Sequence, residues 1–275
     1  MSAFLFVRDP RMEEIWPFVP ERLIAGLRGL GETRVVELER NERLSDAADL
    51  GDVVGIAWFG GRFSEACAEA ATQLRMVGCN TDNTGHGLPL EQLRSRAIPV
   101  VDTTRAWAQS VAEIALGLAI SGLRRIPQWH AELASGQPSF CYQAQQFCDA
   151  QGFVGGELGS RRVGVLGLGQ IGGRVARWCV ALARDAATGP DGGDRVLGCD
   201  PYLPPGRAES WGVTLVDPDR LVEESEVLFV TTPPTPSATR LLSEARIGRL
   251  RKGALVVIVT RAHAVDMAAL RRRVL

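Results

Sequence analysis

Short apolar runs alternate with helix-like patterns along two separate stretches of the chain. The first stretch covers residues 3–101, and the second begins at Arg162. The apolar runs predict strands, and the segments between them, with apolar positions three and four residues apart, predict helices. Alternating strands and helices are typical of parallel sheets with helices on both faces. The pattern therefore predicts an α/β protein with two parallel-sheet domains.

The individual elements follow from the same pattern. The strands predicted in the first stretch are residues 3–7, 34–38, 53–58, 75–78 and 98–101, and its helices are residues 22–30 and 64–74. The strands predicted in the second are residues 163–166, 196–199, 213–215, 227–231 and 254–259. Between the two stretches lies a long helix, for which Ser110 and Glu113 have the spacing of a capping box and Pro127 marks the end region. Gly-rich polar residues predict connecting segments at 135–160 and 184–195.

Composition restricts the possible partners. The 275 residues are 45 % hydrophobic and 23 % charged, with a net charge of −1. This composition suits two globular domains, and it provides no large positive field for nucleic acid or an anionic membrane. The most apolar helical stretch, residues 111–120, contains Glu113 and is predicted to be too short to span a bilayer. We therefore expect neither nucleic acid nor a membrane as a partner.

Cysteine and histidine are too sparse and too scattered for a metal site. The six cysteines form no C-x-x-C pair, and the chain has only three histidines. No zinc-site spacing is present, and reduced thiols fit a cytoplasmic protein. The N-terminus has no basic segment before its short apolar run, so no signal peptide is predicted. We expect a cytoplasmic location and no metal.

A glycine motif carries the clearest chemistry. Gly167, Gly169 and Gly172 form G-x-G-x-x-G, directly after one predicted strand and at the start of an amphipathic helix. In that context the first glycine permits a tight turn, the second allows a diphosphate to approach the backbone, and the third lets the helix pack close to the strand. The helix N-terminus then offers N–H groups to the phosphates. Gln170 and Ile171, between the second and third glycines, belong to the same predicted cofactor site.

An acidic residue supports the prediction of a dinucleotide site and distinguishes NAD from NADP. Asp200 ends the second strand of this block, where a carboxylate binds ribose hydroxyls and repels a 2′-phosphate. NAD is therefore predicted in preference to NADP. Asp200 lies 28 residues after Gly172, more than the usual spacing of about 20, and the predicted loop at 184–195 accounts for the excess. The alternative is a glycine motif that serves packing and binds no ligand.

Four segments in order resemble the D-isomer-specific 2-hydroxyacid dehydrogenase family. Residues 98–120 look like the hinge and first helix of its cofactor domain, and residues 155–176 look like the start of its Rossmann strand and turn. Residues 225–242 are similar to its strand and Pro-Leu-Thr loop, and residues 250–270 resemble the segment with its catalytic arginine. The resemblance covers most of the chain.

The resemblance implies a fold and an activity. It implies two Rossmann/flavodoxin-like parallel-sheet domains: a flavodoxin-like substrate domain at 1–103 and an NAD-binding Rossmann domain at 104–275. The implied reaction is hydride transfer between nicotinamide and a small 2-hydroxy or 2-keto acid. A homodimer through the helix at 110–125 is also implied.

The resemblance further assigns site residues. Arg261 matches the catalytic arginine, whose planar, always-charged fork suits a carboxylate and a carbonyl. Thr232 and Pro233 would border the cofactor, and Val259 and Thr260 would line its nicotinamide end. The loop at 79–83, with Asn80, Thr81 and Asp82, would offer backbone N–H groups to the substrate carboxylate.

The sequence also departs from the family. The family's catalytic carboxylate and histidine lie downstream of its arginine, on further strands, and are expected beyond Leu275. His263 and His86 are weak substitutes for that histidine, and Trp107 stands where many members have asparagine. An edge strand at 254–259 without those further strands favours association. The alternative function is therefore a catalytically impaired NAD-binding relative, acting as a sensor, a partner-binding protein or a gene remnant.

Overall fold

The computed structural model describes residues 3–80, 87–136, 156–183 and 194–275. The chain divides into two compact units, Met1–Ala106 and Trp107–Leu275. The sequence analysis placed this boundary between residues 103 and 104. Most of the predicted connecting segments at 135–160 and 184–195 lie outside the described residues.

The first unit is built on a five-stranded parallel sheet in the order β2-β1-β3-β4-β5. Its strands are β1 (Ala3–Arg8), β2 (Glu32–Glu37), β3 (Val53–Phe59), β4 (Met76–Cys79) and β5 (Val100–Asp102). Its helices are α1 (Met12–Ile15), α2 (Val19–Arg28), α3 (Leu44–Ala47), α4 (Glu65–Ala70) and α5 (Leu90–Ser95). The helix predicted at 64–74 is thus shorter than expected.

The second unit contains another five-stranded parallel sheet, in the order β10-β9-β6-β7-β8. Its strands are β6 (Val163–Leu166), β7 (Val196–Cys199), β8 (Thr214–Leu215), β9 (Val227–Val230) and β10 (Leu255–Ile258). Its helices are α6 (Ala108–Leu123), α7 (Ile126–Ala134), α8 (Gly172–Leu182), α9 (Pro218–Glu224), α10 (Glu244–Arg249) and α11 (Met267–Val274). Two parallel α/β sheets confirm the predicted fold class.

Strands β6 and β9 are the buried centre of the second sheet. Every residue of both strands is buried, as expected where helices cover both faces of a parallel sheet. One apolar cluster includes Ala115, Val165 and Phe229 and packs α6 and α8 against one face. Another includes Leu221 and Leu228 and lies with α9 and α10 on the other face. The carboxyl ends of the strands are therefore held in fixed register.

Helix α6 differs from the sequence prediction at both ends. The turn Thr103–Trp107 leads directly into α6. The helix therefore begins at Ala108, and Ser110 lies inside its first turn and not at its N-cap. The Ser110 hydroxyl donates to Trp107 O at 3.0 Å, and the predicted capping box is wrong. Pro127 lies in the first turn of the separate helix α7.

The helical stretch around α6 is also longer than predicted. In the part of the chain that the structure describes, Thr103–Leu123 is the one helical segment whose length and composition would let it cross a membrane. The prediction that the stretch is too short was therefore wrong. However, Ala112, Ala115 and Ala119 bury one face of the helix against the core of the second unit.

Candidate functional site

The turn between β6 and α8 requires glycine at two positions. Gly167 has φ +91°, which is left-handed backbone, and a Cβ there would lie 3.1 Å from the backbone of Thr232. A Cβ at Gly172 would lie 1.9 Å from Gly167 O. The helix can therefore begin directly over the turn only because neither position carries a side chain.

The middle glycine faces open space. A Cβ built at Gly169 meets nothing within 4 Å. Helix α8 receives no hydrogen bond from a side chain at its N-cap position, Ile171, and has no acidic residue in its first turn. The N-terminal N–H groups of such a helix favour an anion. This geometry fits a diphosphate lying against the backbone.

The Asp200 carboxylate is anchored at both oxygens by backbone N–H groups. Oδ2 accepts from Leu168 N at 2.8 Å, and Oδ1 accepts from Tyr202 N at 2.9 Å. A carboxylate has about four acceptor sites, so each oxygen can still accept from a ribose hydroxyl. Burial and the nearby charge of Asp200 raise the pKa of the Cys199 thiol, which stays protonated at neutral pH. The position of Asp200 therefore suits both turn support and sugar binding.

The end of β9 borders the glycine turn. The Thr232 side chain packs against Gly167, and its hydroxyl is buried without a hydrogen-bond partner. An unpartnered buried hydroxyl is unusual in a folded protein, and this one is able to hydrogen-bond a polar group of a cofactor. The Thr260 hydroxyl donates to Thr232 O, and His263 Nε2 donates to Pro233 O at 3.1 Å. These bonds tie the segment after β10 to the segment after β9.

The structure brings most predicted site residues of the second unit to one edge of its sheet. Strands β10, β9, β6 and β7 are consecutive in the sheet. Their carboxyl ends carry the glycine turn, Asp200, Thr232–Pro233 and residues 259–261. Gln170 binds Arg174 through its carbonyl and side-chain oxygens. Val259 N donates to Val230 O at 3.2 Å, and Arg261 is exposed. Ligands bind at this edge in open α/β sheets.

In the first unit, Asn80 directly follows β4. Its Oδ1 accepts a hydrogen bond from the Thr104 hydroxyl at 3.0 Å, and that hydroxyl also contacts Asp102. Thr81, Asp82 and His86 lie outside the described residues, so their predicted or considered roles stay predictions. Within the described ranges, no group of three or more His, Cys, Asp or Glu side chains forms a metal site.

Sequence analysis missed Thr231 in this site. It directly follows β9 and is 8 % exposed, and its hydroxyl lies within hydrogen-bond distance of the carbonyls of Leu166 and Gly167. The available signal was a hydroxyl residue at the end of an otherwise apolar strand. That signal is weak in a sequence, because the bonds join residues 64 and 65 positions apart.

Comparison with known proteins places the chain in a family. Residues 116–274 match the family model described as D-isomer specific 2-hydroxyacid dehydrogenase, NAD binding domain. D-3-phosphoglycerate dehydrogenase of Methanocaldococcus jannaschii is 30 % identical over 270 residues, covering 97 % of this chain and 45 % of that protein. The Archaeoglobus fulgidus protein of the same name is 31 % identical over 205 residues, covering 74 % of this chain and 34 % of that protein. The chain thus spans less than half the length of these curated relatives.

Solved structures share the fold. A phosphoglycerate oxidoreductase from Rhizobium etli superposes with a TM-score of 0.73 at 22 % identity, covering 100 % of this chain and 76 % of that one. D-lactate dehydrogenase from Aquifex aeolicus, complexed with NAD and lactic acid, superposes with a TM-score of 0.63 at 20 % identity. The match covers 98 % of this chain and 72 % of that one. The family match spans more than half of the sequence. The chain belongs to the D-isomer specific 2-hydroxyacid dehydrogenase family, and residues 116–274 are its NAD binding domain.

Proposed function

We propose that this protein is an NAD-dependent oxidoreductase of the D-2-hydroxyacid dehydrogenase type. Its reaction is hydride transfer between nicotinamide and a small 2-hydroxy or 2-keto acid. The observation that carries the proposal is the open space above Gly169 at the sheet edge that also holds Asp200 and Arg261. When bound, NAD supplies the hydride chemistry itself.

The chain's own residues hold and orient the reactants. The glycine turn and the start of α8 bind the diphosphate through backbone N–H groups. Asp200 accepts from the ribose hydroxyls, and the unpartnered Thr232 hydroxyl provides a further polar contact. The Arg261 guanidinium binds the carboxylate and carbonyl oxygen of the acid, which places the reacting carbon.

We assign the substrate loop of the first unit a role in carboxylate binding. The Thr104 hydroxyl fixes the Asn80 side chain through its Oδ1, so the start of the loop is held at the carboxyl end of β4. Backbone N–H groups of Thr81 and Asp82 are part of the same proposal.

We further propose a homodimer. Ile114 is 61 % exposed and Leu118 is 50 % exposed on the face of α6 opposite its buried alanines. These adjacent apolar side chains supply surface that a contact with a second copy of the chain would cover. The cytoplasmic location stays a prediction.

A second candidate function is NAD binding without turnover. The histidines among the described residues are His130 and His263. His130 is exposed on α7, while Nε2 of His263 is bound to Pro233 O and its Nδ1 is buried without a partner. A general acid or base needs a ring nitrogen within reach of the substrate. This arrangement favours a sensor or partner-binding role if no other acid or base is supplied.

Calorimetric NADH binding and an activity assay separate these functions. The assay follows NADH absorbance across a panel of 2-keto acids, including pyruvate, glyoxylate and hydroxypyruvate. Binding with turnover supports the dehydrogenase. Binding without turnover selects the second candidate, and absence of NADH binding removes both.

A further inference from the structure

Thr231 lies directly beneath the glycine turn. Its Oγ1 is 2.6 Å from Gly167 O and 3.1 Å from Leu166 O, and it can donate only one hydrogen between these two carbonyls. The side chain is buried, at 8 % exposure, so water does not compete for the hydroxyl. The shorter distance identifies Gly167 O as the main acceptor.

The same carbonyl sets how closely helix α8 approaches the turn. A Cβ at Gly172 would lie 1.9 Å from Gly167 O and 2.5 Å from Thr231 Oγ1. Three groups therefore meet at one point: the Thr231 hydroxyl, the Gly167 carbonyl and the side-chain-free face of Gly172. A change in the direction of this carbonyl would move the start of the helix.

The direction of the Gly167 carbonyl also affects how strongly the turn attracts a phosphate. A carbonyl oxygen carries partial negative charge and repels phosphate, whereas N–H groups attract it. A donor that holds this carbonyl below the turn leaves the N–H groups of the turn and helix to face the anion. The Thr231 hydroxyl is such a donor, and it comes from the segment directly after another strand of the sheet, β9.

We propose that Thr231 is a positioning residue for diphosphate binding: its hydroxyl fixes the Gly167 carbonyl and thereby the anion-binding turn. This inference rests on the proposed dinucleotide function. Thr231 does not touch the cofactor in this role. It acts through Gly167, whereas Thr232, with its unpartnered hydroxyl, is the residue assigned to direct contact.

The first test replaces the hydroxyl with a methyl group of similar size. Thr231→Val should weaken NADH binding about tenfold, the usual consequence of losing one buried hydrogen bond. Thr231→Ser keeps the hydroxyl and should restore the affinity. Dissociation constants are measured calorimetrically, well below the melting temperature of each variant.

The matched control is another buried hydroxyl in the same unit, at the C-terminal end of α9. Ser225 is fully buried, and its hydroxyl donates to Leu221 O and lies against Gly164 of β6, away from the glycine turn. Ser225→Ala should lower the melting temperature and leave the NADH dissociation constant unchanged. A merely structural role for Thr231 would make Thr231→Val behave in the same way.

The outcomes separate this inference from the proposed function. Failure of the wild-type protein to bind NADH overturns both. If the wild-type protein binds NADH and Thr231→Val has the same dissociation constant, only the proposed role of Thr231 is overturned. If the valine variant does not fold, Thr231→Cys replaces it, because a thiol is a weaker donor. Its NADH affinity should then fall below that of Thr231→Ser, and equal affinities would refute the inference.

Discussion

Oδ2 of Asp200 accepts a hydrogen bond from the backbone N–H of Leu168 across 2.8 Å. Leu168 is the residue between the first two glycines of the turn, whereas Asp200 directly follows the neighbouring strand β7. The carboxylate that we assign to ribose binding therefore also supports the diphosphate-binding turn. Its substitution should affect both halves of the dinucleotide site.

Asp200→Asn should weaken NADH binding about tenfold or more, because hydrogen bonds to a charged acceptor are strong. NADPH binding should weaken less, since the variant no longer repels a 2′-phosphate. Calorimetry with both cofactors measures the ratio of the two dissociation constants. Glu209→Gln, at an exposed carboxylate in the same unit, should leave that ratio at its wild-type value.

Alanine at Gly169 and alanine at Gly172 should differ in their effects on stability. At Gly169 the new Cβ enters open space, so the melting temperature should change little while NADH binding is lost through steric exclusion of the diphosphate. At Gly172 the Cβ overlaps the backbone, and overpacking should cost about 1–3 kcal/mol of unfolding free energy. Thermal melts and NADH titrations are compared with Gly248→Ala, where the Cβ also meets nothing. Normal NADH affinity in Gly169→Ala would contradict the assigned diphosphate position.

Arg261→Lys should lower kcat/KM for a 2-keto acid about tenfold to a hundredfold, because an ammonium cannot replace the bidentate fork. The NADH dissociation constant should stay unchanged, since the arginine is assigned to the substrate. Steady-state kinetics and calorimetry together measure both effects. Arg240→Lys, another exposed arginine of the second unit, is the control. Equal kinetic losses in the two variants would speak against a substrate role for Arg261.

Asp217 provides a pH-dependent contribution to stability. Its side chain caps α9, and hydrogen bonds from the backbone N–H groups of Arg220 and Asp219 lower its pKa. A carboxyl group with a lowered folded-state pKa stabilises the fold above its unfolded pKa, and that stability disappears as pH falls through the folded value. Asp217→Ala should therefore reduce the melting temperature at neutral pH and progressively less in acid. A pH-independent difference between the two melting curves would exclude the linkage.

Leu118→Glu should shift the protein from dimer to monomer, because it places a charge on the exposed apolar face of α6. Light scattering after size exclusion measures the mass of each species. Met267→Glu on α11 is a suitable control, since Met267 has a similar exposure of 47 %. A monomeric wild-type protein would remove the proposed interface.

The predicted elements and the observed ones agree best where the signal is local. Strands β6 and β7 have the predicted bounds because their apolar runs end at clear polar or glycine boundaries. Asp266 caps α11 in the same local way, accepting from Ala269 N at 2.9 Å. The predicted start of α6 failed because a favourable cap sequence at Ser110 lies inside a helix that begins earlier.

The sequence by itself determined the alternation of strands and helices, the glycine turn and the acidic residue that directly follows β7. These features depend on side-chain periodicity, on backbone freedom at glycine and on charge, all of which a short stretch of chain carries. Only the tertiary structure decided that the Thr231 hydroxyl donates to Gly167 O and that the Asp200 carboxylate accepts from Leu168 N. Parallel pairing of β6 with β7 and β9 brings these residues together from distant parts of the chain. A hydrogen bond depends on that register, which no local pattern contains.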